Sequence, residues 1–276
     1  MIAFESVEFV YPSGVKALDG VSLRIGDGEV VALMGENGAG KTTLLKHLNG
    51  LLKPTSGRVL VDGVDTRKAT VAQLARIVGL VFQNAEDMFF SSSVWEEVAF
   101  ALRNFGYSER VVERRVDWAL KFMELEKYSD ASPFLLSGGE KKRLALAIVL
   151  AWSPKVIALD EPTTGQDQLQ KEKLLQMIKL LREQGRTIIV STHDVEFAAQ
   201  LKPRVILMKR GRIIADGKAD EIFLDEKLLR SCSLLPPQIV SLTKRLDFLG
   251  IEPSLKHPRE VADEIIDRLE RFSCKT

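Results

Sequence analysis

Val21, Leu23 and Ile25 are apolar with Ser22 and Arg24 between them, a period of two that predicts a half-buried strand. Residues 29–34 form a short apolar run that stops at a glycine-rich turn, and 41–52 then predict a helix. Residues 59–62 predict a further strand, closed by the hairpin dipeptide Asp62-Gly63. From about Asn84 to Trp152 the pattern turns helical. Within 111–125, Val112, Val116, Ala119, Leu120 and Met123 recur near helical spacing, and 144–152 are apolar on every side, which predicts a buried helix. Strands return at 156–159, 187–191 and 204–208. The first two are solid apolar runs, as in parallel strands covered on both faces, and 169–183 predict a crossover helix between them. Residues 209–212 read as a hairpin turn into Ile213 and Ile214. Past Gly217 the pattern is helical again. Pro237 opens a segment with Ile239, Val240, Leu242, Leu246 and Leu249 on one side and Gly250 at its end; Pro258 opens another, striped by Val261, Ile265, Leu269 and Phe272. The pattern divides the chain into an α/β unit over 1–217, with an inserted helical lobe at about 84–152, and a small helical tail over 218–276.

Charge narrows the function. The 39 basic and 38 acidic residues leave a net charge of +1, against a chain that sheathes nucleic acid. A hydrophobic share of 45% with 28% charged residues fits a packed globular protein rather than a disordered one. The longest apolar stretch, 144–152, is nine residues, about half of what a membrane-spanning helix needs. Glu5 and Glu8 argue against a signal peptide at the N-terminus. Cys232 and Cys274 have no metal-ligand or redox spacing, and free thiols fit a reducing cytosol.

The chemistry is concentrated in three motifs. Gly35-Glu36-Asn37-Gly38-Ala39-Gly40-Lys41-Thr42 matches G-x-x-x-x-G-K-[ST], whose backbone N–H groups and following helix cradle phosphate. Lys41 is expected to reach the β- and γ-phosphates, and the Thr42 hydroxyl to bind Mg²⁺. The run Val156-Ile157-Ala158-Leu159-Asp160-Glu161 sets two carboxylates at the end of a buried strand: Asp160 for the magnesium shell, Glu161 to orient or deprotonate water. No Asn-Lys-x-Asp motif reads guanine, which favours ATP over GTP. Tyr11, which ends an N-terminal strand, is placed either to stack on adenine or to pack on the core. Leu136-Ser137-Gly138-Gly139-Glu140 is either a second anion nest or an ordinary helix start capped by Ser137. Two nests with one lysine and one Asp-Glu pair imply that each nest completes the site of a second subunit.

In order and spacing the chain resembles the ATP-binding cassette (ABC) ATPases. Tyr11 resembles the A-loop aromatic, residues 35–43 through Thr43 the Walker A loop, and Gln83 the Q-loop glutamine. Leu136 to Glu140 resemble the signature, Asp160 and Glu161 the Walker B aspartate and catalytic glutamate, Thr164-Gly165-Gln166-Asp167 the D-loop, and His193 the switch histidine. Glu140 stands where glutamine is commoner, and Gln166 where an apolar residue is usual.

The resemblance implies a P-loop NTPase fold with a mixed sheet and an N-terminal antiparallel β part. It also implies two subunits closing head-to-tail on two Mg-ATP. In that arrangement Thr42, Gln83 and Asp160 surround Mg, Glu161, His193 and Gln83 serve catalysis, and Ser137, Gly138, Gly139 and Glu140 act on the partner's ATP.

A finer similarity is to the energy-coupling factor (ECF) branch of cobalt/nickel and vitamin importers. It rests on Val81-Phe82-Gln83-Asn84, Glu97-Val98-Ala99-Phe100, Leu136 to Arg143 and Leu235-Pro236-Pro237. That branch implies a peripheral ATPase on the cytoplasmic face of the membrane. Its partners would be a second ATPase, identical or not, a transmembrane coupling subunit and a substrate-capturing membrane subunit, with no nucleic acid. Met88, Phe89, Phe90, Val94, Trp95 and Phe100 then form either a groove for a coupling helix or the core of the lobe. The tail helices either supplement the ATPase dimer interface or pack on their own core. The alternatives are the ATPase of another ABC importer or exporter, or a soluble non-transport ABC protein; the long coiled-coil insertion or second fused cassette usual in the latter is missing here.

Overall fold

The computed structural model describes residues 1–273, with side chains through Glu270. The strands are β1 (Ile2–Val10), β2 (Lys16–Ile25), β3 (Val30–Met34), β4 (Ser56–Val61), β5 (Val64–Asp65), β6 (Val78–Val81), β7 (Val156–Asp160), β8 (Thr187–Thr192), β9 (Arg204–Lys209) and β10 (Arg212–Lys218). The first helices are α1 (Lys41–Leu48), α2 (Val71–Ala75), α3 (Val94–Asn104), α4 (Glu109–Phe122) and α5 (Gly138–Ala151). The later ones are α6 (Gln168–Glu183), α7 (Val195–Leu201), α8 (Ala219–Leu224), α9 (Glu226–Ser231), α10 (Gln238–Arg245) and α11 (Pro258–Ser273).

Two sheets result. An antiparallel one runs β2-β1-β4-β5, and Asp62 (φ +51°) with Gly63 (φ +80°) makes the tight turn between β4 and β5 that the dipeptide predicts. A second runs β10-β9-β3-β8-β7-β6, parallel throughout except where β10 turns back on β9. Every residue of β3, β7 and β8 is buried, because helices or the other sheet cover both faces. This is the mixed α/β sheet expected from the sequence.

Three apolar clusters hold the layers. One joins the helical lobe (Val98, Val112, Val116, Leu144, Val149) to Leu159, Ile178 and Val190. A second packs α1 (Leu44, Leu45, Leu48) between the antiparallel sheet and the opposite face of the parallel one. The third brings the tail (Phe223, Leu229, Cys232, Val240, Leu255) onto Met34 of β3 and Leu207 of β9. The tail thus packs on its own chain's sheet, directly behind the strand that leads into the phosphate loop.

The boundaries differ from the periodic reading in physically simple ways. The helix expected over 41–52 stops at Leu48, because Asn49 caps it and Gly50 turns left-handed (φ +73°). The helix expected over 111–125 starts at Glu109 and ends when Glu124 takes φ +56°. The tail stripes are only half used. Val240, Leu249 and Val261 are buried, whereas Leu242 and Leu269 are 45% and 52% exposed. The side chain of Phe272, and Cys274, lie outside the described residues. Among the described residues no helix is long and apolar enough to cross a membrane.

At Gly79 of β6, α5 approaches the sheet closely: a Cβ there would stand 2.2 Å from Val149 Cγ1. Gly79→Ala should therefore overpack this contact and cost about 1–3 kcal/mol of stability by chemical denaturation. Adding Val149→Ala should return part of it; an unchanged unfolding midpoint in the single variant would refute the close approach.

Candidate nucleotide site

The phosphate loop is wedged between two strands. Gly35 (φ +146°) leaves β3 where a Cβ would lie 2.1 Å from the carbonyl oxygen of Met208, and Gly40 (φ +105°) enters α1 where a Cβ would lie 2.6 Å from that of Ala17. Only glycine satisfies both the left-handed backbone and the contact. No side chain caps the N-terminus of α1, so its first-turn N–H groups and the positive end of its dipole are open to an anion. Lys41 is buried. Its Nζ donates to the carbonyls of Gly35 (2.8 Å) and Glu36 (3.2 Å) and lies 3.5 Å from Glu161 Oε1.

Parallel pairing delivers the acidic half. Asp160 is in register with Ser191, and the Ser191 hydroxyl donates to Asp160 Oδ1 while Thr42 Oγ1 donates to Oδ2 at 2.7 Å. Glu161 follows with a left-handed backbone (φ +46°), strain that its N–H bond to the Ser191 carbonyl (3.0 Å) helps to hold. That turn aims a carboxylate only 6% exposed at two partners: His193 Nδ1, 2.9 Å from Oε2, and the Lys41 ammonium beside Oε1. His193 itself is 56% exposed, so the pair has one buried end and one that faces solvent.

Sequence reasoning missed Ser191. Its signal, the Ser191-Thr192-His193 run at a strand end, gains meaning only from the pairing of β7 with β8.

A hydroxyl and a carboxylate 2.7 Å apart are hard oxygen donors, and among the described residues no cluster of three His, Cys, Asp or Glu forms a protein cage. That set fits a magnesium ion held by one or two protein oxygens and by substrate phosphates. Gln83 lies just past β6, whose Val81 pairs with Leu159, so it shares the sheet edge with Asp160. It is exposed, and its side chain makes no hydrogen bond among the described residues. Tyr11 is half-buried, its hydroxyl 3.0 Å from Thr43 Oγ1 and its ring edge-to-face with Phe9.

The Ser137 segment stands apart from this cluster. No hydrogen bond or ion pair among the described residues joins residues 137–140 to Lys41, Asp160 or Glu161. Ser137 caps α5 and forms a capping box with Glu140: Ser137 Oγ and N both reach Glu140 Oε2, at 2.7 and 2.9 Å. The Tyr128 hydroxyl donates to the other oxygen of Glu140. With those donors, the Tyr128 hydroxyl foremost and Ser137 next, the carboxyl is held at about 2 rather than its usual 4.5. Asp167 caps α6 by accepting from Gln170 N–H at 2.8 Å.

Comparison with known proteins agrees with this layout. Residues 18–164 match the family model described as ABC transporter. The energy-coupling factor transporter ATP-binding protein EcfA of Methanothermobacter thermautotrophicus is 42% identical over 93% of this chain and 83% of its own length.

The chain belongs to the ABC transporter family.

Within it, this is an ATP-binding and ATP-hydrolysing subunit. Among solved structures, CbiO1 from Clostridium perfringens, described as part of the ABC transporter complex CbiONQ, superposes with a TM-score of 0.73. Its identity is 37%, covering 88% of this chain and 98% of that one. A dimeric ATP-binding cassette in a post-hydrolysis state, bound to ADP and Pi, also superposes with a TM-score of 0.73. It is 34% identical, over 79% of this chain and 99% of its own. In this ABC ATPase the Ser137 segment is thus a capped helix start, apart from the lysine and carboxylates of the same chain.

The Glu140 pairing fixes a pH dependence. A carboxyl whose pKa is lowered by folding stabilises the fold above its unfolded value, and that contribution disappears as pH falls through the folded value. The stability difference between the wild-type chain and Glu140→Gln should therefore shrink as pH drops from 4.5 to about 2. A difference constant across that window in urea unfolding would refute the pairing.

Proposed function

We propose that this chain and a second cassette, identical or similar, close head-to-tail on two Mg-ATP, and that the closure drives an ECF-type importer of a vitamin or transition-metal ion. The observation that carries this reading is the division of the chemistry. Lys41, Asp160, Glu161 and His193 gather at one sheet edge, while Ser137, Gly138 and Gly139 form a separate nest. A γ-phosphate between two chains is the ligand that uses both. The cassette would span 1–217, with the lobe at 84–152 and the tail at 218–276.

In this mechanism Lys41 exchanges the Gly35 and Glu36 carbonyls for β- and γ-phosphate oxygens, joined by the uncapped N–H groups of α1. Asn37, Gly38, Ala39 and Thr43 complete the loop around the phosphates, with Tyr11 on the adenine side. Thr42, Asp160 and Gln83 would hold magnesium, which supplies charge neutralisation on the phosphate oxygens. Glu161 accepts the proton of the attacking water, and His193, on its other side, keeps water and γ-phosphate in register. The partner's Ser137 nest closes the opposite face, with Asp167 carrying the D-loop toward the interface. Phosphoryl transfer depends mainly on positioning and electrostatics, so a strained, doubly held Glu161 is suited to the task.

Transport requires membrane partners: a transmembrane coupling subunit and a substrate-capturing subunit, with this chain peripheral on the cytoplasmic face. Support for that side comes from the lobe surface. Phe90 and Phe100 stand exposed with ring centroids 4.4 Å apart, whereas Phe89 is buried and Trp95 packs against the lobe core. Such an aromatic pair suits a partner helix.

Mass spectrometry of the complex recovered from membranes should find this chain with a second ATPase and two membrane subunits; recovery without any membrane subunit would overturn the importer. Glu161→Gln should bind ATP at wild-type affinity while turnover falls by about 10²–10⁴-fold, and full hydrolysis would remove its role as base. Lys41→Ala should lose ATP affinity itself, and unchanged binding in calorimetry would refute the phosphate contact.

A further inference from the structure

One lysine near the site is held by backbone carbonyls, with Glu161 as the carboxylate that attracts its charge. Lys142 lies on α5, one turn beyond the Ser137 cap, and forms no ion pair among the described residues. Its Nζ instead donates to the carbonyl of Thr164 and lies 3.5 Å from that of Pro162. Those carbonyls belong to the short turn that starts at Glu161 and leads to Asp167. The turn is tight: Thr164 N–H bonds the Glu161 carbonyl at 3.3 Å, Gln166 N–H bonds that of Thr163 at 3.1 Å, and Thr163 is buried with its hydroxyl 3.4 Å from Thr192 Oγ1. A second contact joins the same two elements. The side-chain amide of Gln170, whose backbone N–H is held by Asp167, occupies the space over Gly139, where a Cβ would meet its Nε2 at 2.8 Å.

The start of α5 and the 161–170 segment are therefore tied twice within one chain, once by a charged donor on backbone carbonyls and once by close packing. These are the two elements that, on the two-cassette reading, serve different ATP molecules. The α5 nest faces the partner's γ-phosphate, and Glu161 faces the chain's own.

We propose that Lys142 is a positioning residue that locks the signature helix to the Glu161–Asp167 turn, so that seating the nest on one ATP sets Glu161 over the other. The inference rests on the two-cassette reading of the function. An extended lysine stem with a terminal donor suits the role, since a carbonyl pair needs only donors and the aliphatic part fills the half-buried path. The link transmits geometry rather than binding energy, so it acts on kcat and on cooperativity, not on ATP affinity.

The test uses the purified full-length chain, with ATPase rate against ATP concentration and calorimetric ATP binding as readouts. Lys142→Met, which keeps the stem and removes the donors, should lower kcat about tenfold or more, move the Hill coefficient toward 1, and leave the ATP Kd within about twofold. Lys142→Gln, whose amide still donates to a carbonyl, should keep kcat within about threefold of wild type. Wild-type kcat and Hill coefficient in a folded Lys142→Met overturn the proposal, as does a loss in Lys142→Gln equal to that in Lys142→Met. If thermal unfolding shows that Lys142→Met does not fold, Lys142→Gln decides alone: near wild-type turnover and cooperativity support the link, and a tenfold loss overturns it. Ser137→Arg blocks the nest itself and separates the two levels. Full turnover in Ser137→Arg removes the two-cassette reading and this proposal with it. An inactive Ser137→Arg beside a fully active Lys142→Met removes the proposal alone.

Discussion

Parallel pairing of β3, β8 and β7 is the constraint on which the rest of the molecule depends. It brings the ends of three strands far apart in the chain to one edge, so that the loop after β3, the Asp160-Glu161 pair at the end of β7 and His193 after β8 meet within hydrogen-bond distance. Parallel strands need long crossovers, and the protein places its remaining parts in them. The helical lobe and α5 are the crossover into β7, and α6 is the crossover into β8. The architecture that builds the site therefore also hangs the Ser137 helix start from the same sheet.

Burial gives that edge its leverage. Lys41 and Glu161 side chains are each only 6% exposed, in a setting where charges interact far more strongly than in water. Two buried opposite charges at 3.5 Å with incomplete hydrogen bonding stabilise a fold weakly, because desolvation offsets their attraction. Their value lies in readiness. The lysine rests on loop carbonyls that a phosphate can replace, and Glu161 is held in a left-handed conformation between Ser191 and His193. Strain at that residue persists because strand pairing and the buried Thr163 fix the backbone around it.

The outer parts extend the same logic. The tail buries Phe223, Leu229 and Leu255 against β3 and β9, behind the phosphate loop, and Ser233 reaches Glu36 within that loop at 2.7 Å. The lobe packs on the sheet through α5, which approaches β6 in the gap left at Gly79. On the lobe surface, buried Glu97 accepts from the backbone N–H groups of Phe90 and Ser91 and so fixes the segment that presents Phe90. The phosphate-loop edge, the start of α5 and the aromatic surface are three faces of one packed unit.

The sequence by itself determined the elements whose chemistry is local. The glycines around Lys41, the solid apolar runs of β7 and β8, the Asp62-Gly63 turn and the ordered motifs from Tyr11 to His193 are legible because each needs particular residue types at fixed spacing. Tertiary structure alone decided what depends on alignment between distant segments. Ser191 becomes a partner of Asp160 only through the β7–β8 register, and Lys142 finds Thr164 only because α5 crosses the turn after β7. Leu242 and Leu269 stay exposed although the apolar stripes predicted for the tail include them; the helix over 238–245 turns Val240 and Thr243 inward instead. Glu140 departs from a common motif on paper, and in space it is the acceptor that completes the capping box of its own helix with Ser137. Spacing along the chain specifies which groups are present; the free energy of packing specifies which of them meet.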